Sequence, residues 1–144
     1  LSSAASDVYK RQAGTLSGNP VAMAAGLAQL RELLDRNAYD RLEQLGARLE
    51  EGIREAIRKH GRNYTFHRAG SMFCLFFTEQ EVYDLDSAQK ASKELFKPFF
   101  WNMLEQGVYF APSPYETGFI STAHTEEDID RTVEAVHVSL SKLG

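Results

Sequence analysis

Residues Tyr64 to Thr78 read "YTFHRAGSMFCLFFT". Tyr64 to Arg68 mixes aromatic and β-branched residues with polar ones, Ala69-Gly70 breaks the run, and Met72 to Phe77 is almost continuously apolar. Brevity and aromatic content favour strands over a buried helical segment, and apolar residues on both faces predict that Met72 to Phe77 is a central strand. The flanking sequence then decides what covers this small sheet.

Upstream, Leu42, Leu45, Leu49, Ile53 and Ile57 recur on one face with Glu, Arg and Gln largely opposite. This spacing predicts an amphipathic helix that ends near His60-Gly61. Before it stands "GTLSGNPVAMAAG", Gly14 to Gly26. Asn19 is a good N-cap and Pro20 suits a first helical position, because its missing N–H would have gone unbonded anyway. A helix is therefore expected from about Pro20 to Arg36, with Met23, Leu27, Leu30 and Leu34 on one face and a run of small residues that permits close approach.

Downstream, "EQEVYDLDSAQ" reads as a polar connection. Ser92 then caps a helix that carries Leu95, Phe96, Phe99, Phe100, Met103 and Leu104, with a kink or a late start expected at Pro98. Gly107 stops it, Val108 to Phe110 form a short strand, "APSPYETG" is irregular, and Phe119 to Ser121 form another strand. Thr125 caps a last helix, with Glu126, Glu127 and Asp128 complementing its dipole and Ile129, Val133, Val136 and Leu140 on its buried face. The order of elements implies an α/β chain that ends in a small sheet covered by helices.

The chain has 144 residues and a formal charge of -4. That balance supplies no basic field for a nucleic-acid backbone or an anionic membrane, and no apolar run approaches a membrane span. Neither nucleic acid nor membrane is expected as a partner. Cys74 is the only cysteine, so no intramolecular disulfide framework exists. A reducing, cytoplasmic setting is expected. The first stretch, "LSSAASDVYKRQ", has no h-region and no periodicity, and Leu1 to Arg11 are set apart as a non-native leader.

Few side chains point to chemistry. His60, His67, His124 and His137 lie at no spacing typical of a zinc site, and no metal is expected. Cys74 reads as a small buried hydrophobe, His124 as a surface residue beside a helix cap, and the acids of "TEEDID" as ordinary first-turn residues. Gly14 and Thr15 have two readings: a turn before a helix, or backbone N–H groups and a hydroxyl placed for a phosphate. A P-loop is excluded, since Asn19 stands where its Lys would be. Glu116, among prolines and aromatics, reads locally as a solvated turn residue.

Four stretches, "AGTLSGNPVAMAAGLAQL", "GSMFCLFFT", "FFWNMLEQGVYFAPS" and "ETGFISTAHTEEDID", together resemble the C-terminal part of the glutamate-1-semialdehyde 2,1-aminomutases, in the class III aminotransferase group. The resemblance implies a fold type I pyridoxal-phosphate transferase. Residues 12–36 would be the end of the large cofactor domain and a connecting helix, and residues 37–144 a small domain with a short, mainly antiparallel sheet. It also implies pyridoxal 5'-phosphate and pyridoxamine 5'-phosphate as cofactors, a small-molecule substrate and a homodimer. Gly14 and Thr15 would reach the phosphate of the neighbouring subunit's cofactor. Glu116 would contact the substrate or its diamine intermediate, where many aminotransferases hold a carboxylate with an arginine. The intact enzyme would convert glutamate-1-semialdehyde to 5-aminolevulinate for tetrapyrroles, whereas the family's Schiff-base lysine motif is not found in this chain.

Departures from the family pattern are Arg11, where a tyrosine is usual, and "SPYETGF" in place of "SQFEAGF", which changes the loop at Pro114 and Tyr115. Another class III aminotransferase would place a different residue at Glu116. A non-catalytic α/β oligomerisation module would need neither Thr15 nor a cofactor domain.

Overall fold

The computed structural model describes residues 16–35 and 37–143. The expected leader, Gly14, Thr15 and Arg36 lie outside the described residues. Helix α1 spans Pro20–Asp35. The Asn19 side-chain oxygen accepts from the N–H groups of Val21 at 2.9 Å and Ala22 at 3.2 Å, which satisfies two of the donors that every helix start leaves unbonded. Met23, Leu27, Leu30 and Leu34 are exposed, so the described residues leave that apolar face uncovered. The chain divides into two compact units after Ala38, with α1 in the first.

From Tyr39 onward the second unit holds the remaining elements: α2 (Ala38–Lys59, all but its first residue), β1 (Thr65–Ala69), β2 (Met72–Phe76), α3 (Leu85–Ala88), α4 (Lys93–Glu105), β3 (Gly118–Phe119) and α5 (Glu126–Ser141). The sheet order is β1-β2-β3, antiparallel throughout, so β2 is central as its composition implies. The register pairs Phe66 with Leu75 and Arg68 with Phe73, which places these side chains on one face. That face meets the core, where Leu45, Leu49, Ile53, Phe99, Met103, Val136 and Leu140 are almost wholly buried. The opposite face carries His67, Cys74 and Met72, the last 43% exposed.

Several sequence expectations need correction. The first strand is one residue later than Tyr64 to Arg68, and the second ends at Phe76 rather than Phe77. The polar connection contains α3, capped by Asp84, whose carboxylate accepts from the Ser87 N–H at 2.8 Å in a reciprocal box. Helix α4 does not start late at Pro98. Ser92 caps it from Lys93, and burial of Phe99 and Met103 outweighs the single backbone bond that the proline removes. Val108 to Phe110 is no strand; the segment is held instead by side-chain packing of Phe110 on Phe73 and Phe99. The last strand is Gly118–Phe119 rather than Phe119 to Ser121, and beyond it the Ile120 N–H still donates to the Ser71 carbonyl at 2.9 Å.

Gly107 ends α4 as expected. Its φ of 79° lets its N–H donate to the Leu104 carbonyl at 2.9 Å and the Val108 N–H donate to the Met103 carbonyl at 3.0 Å. That reversal turns the chain towards the loop of residues 111–117.

Arg68 joins the sheet to α2. Its side chain, 12% exposed, donates to both Glu43 oxygens at 2.9 and 2.7 Å, to Glu50 at 2.8 Å and to the Gly70 carbonyl at 2.8 Å. Hydrogen bonds from Arg68 hold the Glu43 and Glu50 carboxyls below the usual carboxylate range. A depressed folded pKa contributes stability that is present above the unfolded value and is lost as pH falls through the folded one. Arg68→Ala is therefore expected to lower the urea midpoint at neutral pH and to flatten its decline towards about pH 3. Equal acid slopes in the two proteins would show that this network does not govern the acid limb.

Candidate active site

The loop at residues 111–117 leaves Val108 to Phe110 and enters β3, so both of its ends are anchored. At the far end Phe73 opposes Gly118 in the register, and a Cβ on Gly118 would lie 2.4 Å from the Phe73 ring. Glycine there lets the strand close over the aromatic side chain. Within the loop the Glu116 N–H donates to the Ser113 carbonyl at 3.2 Å, and the Tyr115 N–H donates to Ser113 Oγ at 3.3 Å. These two bonds make a tight turn with Pro114 and Tyr115 at its centre and Glu116 as its closing residue.

Glu116 is exposed, and its carboxylate makes no hydrogen bond or ion pair among the described residues. Its backbone is tethered nonetheless, because the Cys74 thiol reaches the Glu116 carbonyl at 3.7 Å. Beneath the loop is a cavity of about 30 Å³, lined in part by Phe73, Cys74, Phe99, Ser113 and Glu116. Lys93, at the start of α4, places its ammonium 5.5 Å from the Tyr115 ring centroid. Neither Cys74 nor Lys93 carries a local sequence signal for this role, since both reach the loop across the fold.

Burial pushes the Cys74 thiol up to about 11, which keeps it protonated and a poor nucleophile at neutral pH. Its S–H is thereby available as a weak donor. His124 lies beside this region, and its Nδ1 accepts from the Ser121 N–H at 3.0 Å and lies 3.1 Å from Ser121 Oγ. Accepting at Nδ1 assigns the neutral ring's proton to Nε2 and gives the ring a turn-closing role, in line with its reading as a surface residue. In α5, Thr125 and Asp128 form a capping box, which accounts for one of the clustered acids. Asp130 pairs with Arg48 at 2.6 Å. The structure thus gives these two carboxylates helix and ion-pair roles and leaves Glu116 as the unpaired acid of the loop.

The family model described as aminotransferase class-III matches residues 3–138. A glutamate-1-semialdehyde 2,1-aminomutase of Akkermansia muciniphila is 90% identical over 133 residues, which cover 92% of this chain and 31% of that protein. One from Thermodesulfovibrio yellowstonii is 51% identical over 132 residues, with the same two coverages. Among solved structures, a lysine-to-alanine variant of a glutamate-1-semialdehyde-aminomutase from Pseudomonas aeruginosa in complex with PMP aligns with a TM-score of 0.80 at 25% identity, covering 92% of this chain and 29% of that one. A transaminase with PLP bound aligns at 0.72 with 30% identity, covering 92% and 29%. The chain spans about a third of the length of the curated relatives it matches.

Proposed function

This chain belongs to the class-III aminotransferase family, and from that premise we propose that it forms part of a glutamate-1-semialdehyde 2,1-aminomutase. The observation that carries this reading is the 90% identity over 133 residues. The complete protein would isomerise glutamate-1-semialdehyde to 5-aminolevulinate by amino exchange through a diamine, as a cytoplasmic homodimer. Pyridoxal phosphate, with its pyridoxamine form, supplies the electron sink in that chemistry.

The described residues do not by themselves make a cofactor site. Lys59, Lys90, Lys93, Lys97 and Lys142 are all exposed, and none lines the cavity beneath Glu116. Their contribution is placement: β2, β3 and the turn at Ser113 hold a carboxylate on a short, anchored loop. A negative charge there favours a cationic diamine and disfavours a carboxylate docked in the ordinary aminotransferase manner. Gly14 and Thr15 are assigned to the phosphate of the neighbouring subunit's cofactor.

The test is a chimera in which residues 16–143 replace the corresponding segment of the 90%-identical relative. It is expected to relieve a 5-aminolevulinate auxotroph and to release 5-aminolevulinate from glutamate-1-semialdehyde in vitro. A chimera that folds and binds cofactor but only exchanges amino groups between separate amine and carbonyl substrates would favour an ordinary class III aminotransferase.

With the segment extended to residue 12, Thr15→Ala is expected to weaken cofactor retention by about 1.5 kcal/mol, roughly tenfold, through the loss of one hydrogen bond to a charged group. Cofactor absorbance after exhaustive dialysis reads this directly. Unchanged retention would remove Thr15 from the phosphate site.

A further inference from the structure

We propose that Lys93 and Cys74 are positioning residues for the Glu116 carboxylate, clamping its loop from the α4 side and the β2 side. This rests on the reading of Glu116 as the residue that faces the substrate or its diamine. Two contacts carry it, and they arrive from different elements. The Lys93 ammonium sits 5.5 Å from the centroid of the Tyr115 ring, within the range of a cation–π attraction, and Tyr115 immediately precedes Glu116. The Cys74 thiol meets the Glu116 carbonyl itself at 3.7 Å. Between them the Ser113 carbonyl and hydroxyl hold the backbone N–H groups of Glu116 and Tyr115. Peptide orientation is therefore restrained on both sides of the Glu116 Cα, although the carboxylate has no partner of its own among the described residues.

The chemistry explains why such a clamp matters. An exposed glutamate samples many rotamers, and ordering it on ligand binding costs free energy that a restrained backbone partly removes beforehand. Because burial keeps Cys74 protonated, its contact is a donor to a carbonyl and not a site of reaction. Lys93 acts through the Tyr115 ring, since no ion pair links it to Glu116.

The experiment uses the chimeric enzyme with Lys93→Met and Cys74→Ala, each in the parent and in a Glu116→Gln background, with Lys93→Arg and Cys74→Ser as rescues. In the parent background each loss variant is expected to speed amide hydrogen exchange at residues 115–117 and to raise the share of diamine released per turnover by roughly two- to fivefold. Unfolding midpoints stay unchanged, the conservative variants restore both readings, and in the Glu116→Gln background the diamine share does not rise further. Unchanged exchange in both loss variants overturns the clamp while leaving the role of Glu116 intact. An equal rise in diamine release in the Glu116→Gln background overturns it as well, since the effect would then not pass through the carboxylate. Wild-type partitioning in Glu116→Gln alone defeats the underlying reading, and the clamp with it.

Discussion

Glu116→Arg in the complete enzyme is expected to lower the yield of 5-aminolevulinate by on the order of two decades or more, with little change in thermal stability. The carboxylate is exposed and supports nothing else among the described residues, so its loss costs the fold almost nothing. On the proposed reading its value lies in facing the diamine within a partly dehydrated site of the complete enzyme. There a charged hydrogen bond to a diamine is worth about 1.5–3 kcal/mol, so Glu116→Gln should cost about one to two decades in retention of that intermediate. Arginine goes further because it replaces attraction with repulsion and offers a fork that fits carboxylates. Single-turnover assays that follow both released diamine and product separate the two variants. Equal partitioning in wild type and Glu116→Gln returns this residue to a solvated turn.

Phe99→Ala carries the largest expected effect on stability, about 3–5 kcal/mol. Phe99 is 1% exposed, its ring lies 5.0 Å from Phe77 and 5.8 Å from Phe110, and it lines the cavity beneath Glu116. Truncation removes the ring that joins α4 to Phe77, just beyond β2, and to Phe110 at the approach of the loop at residues 111–117, so the cavity should enlarge and the loop lose its floor. The unfolding midpoint and amide exchange along α4 measure the first consequence, and diamine partitioning measures the second. A loss below about 1 kcal/mol would mean that the neighbouring aromatics collapse into the gap.

Helix signals were legible where local chemistry decides them. Asn19, Ser92 and Thr125 cap the helices they were expected to cap, because a side-chain oxygen at a helix start reaches N–H groups only two or three residues away. Aromatic strands, the central place of β2 and the apolar faces of α2 and α5 followed from composition and periodicity, whereas the antiparallel pairing was what the family resemblance implied. Of the two outcomes expected at Pro98, the late start fails because propensity counts one lost bond while burial of Phe99 and Met103 counts many contacts. Val108 to Phe110 misled because strand character requires a partner, and the fold supplies aromatic packing there instead of a ladder.

The loop that carries Glu116 divides the same way. Its glycine, its prolines and the presence of a lone acid are properties of eight consecutive residues, and these together with the neighbouring motifs were enough to draw the family resemblance. Which way the loop is held is not written there. Cys74 meets Glu116 across 42 positions of chain and Lys93 meets Tyr115 across 22, and neither distance has any local correlate. The amino-acid sequence by itself determined the four long helices, the small sheet and, through the family motifs, the candidate carboxylate, because caps, periodicity and motifs are short-range. Only the tertiary structure decided that Arg68 bridges Glu43 and Glu50, and that β2 and α4 converge on one turn. Contacts between distant segments depend on how the core closes around Phe99 and its neighbours, which no window of sequence contains.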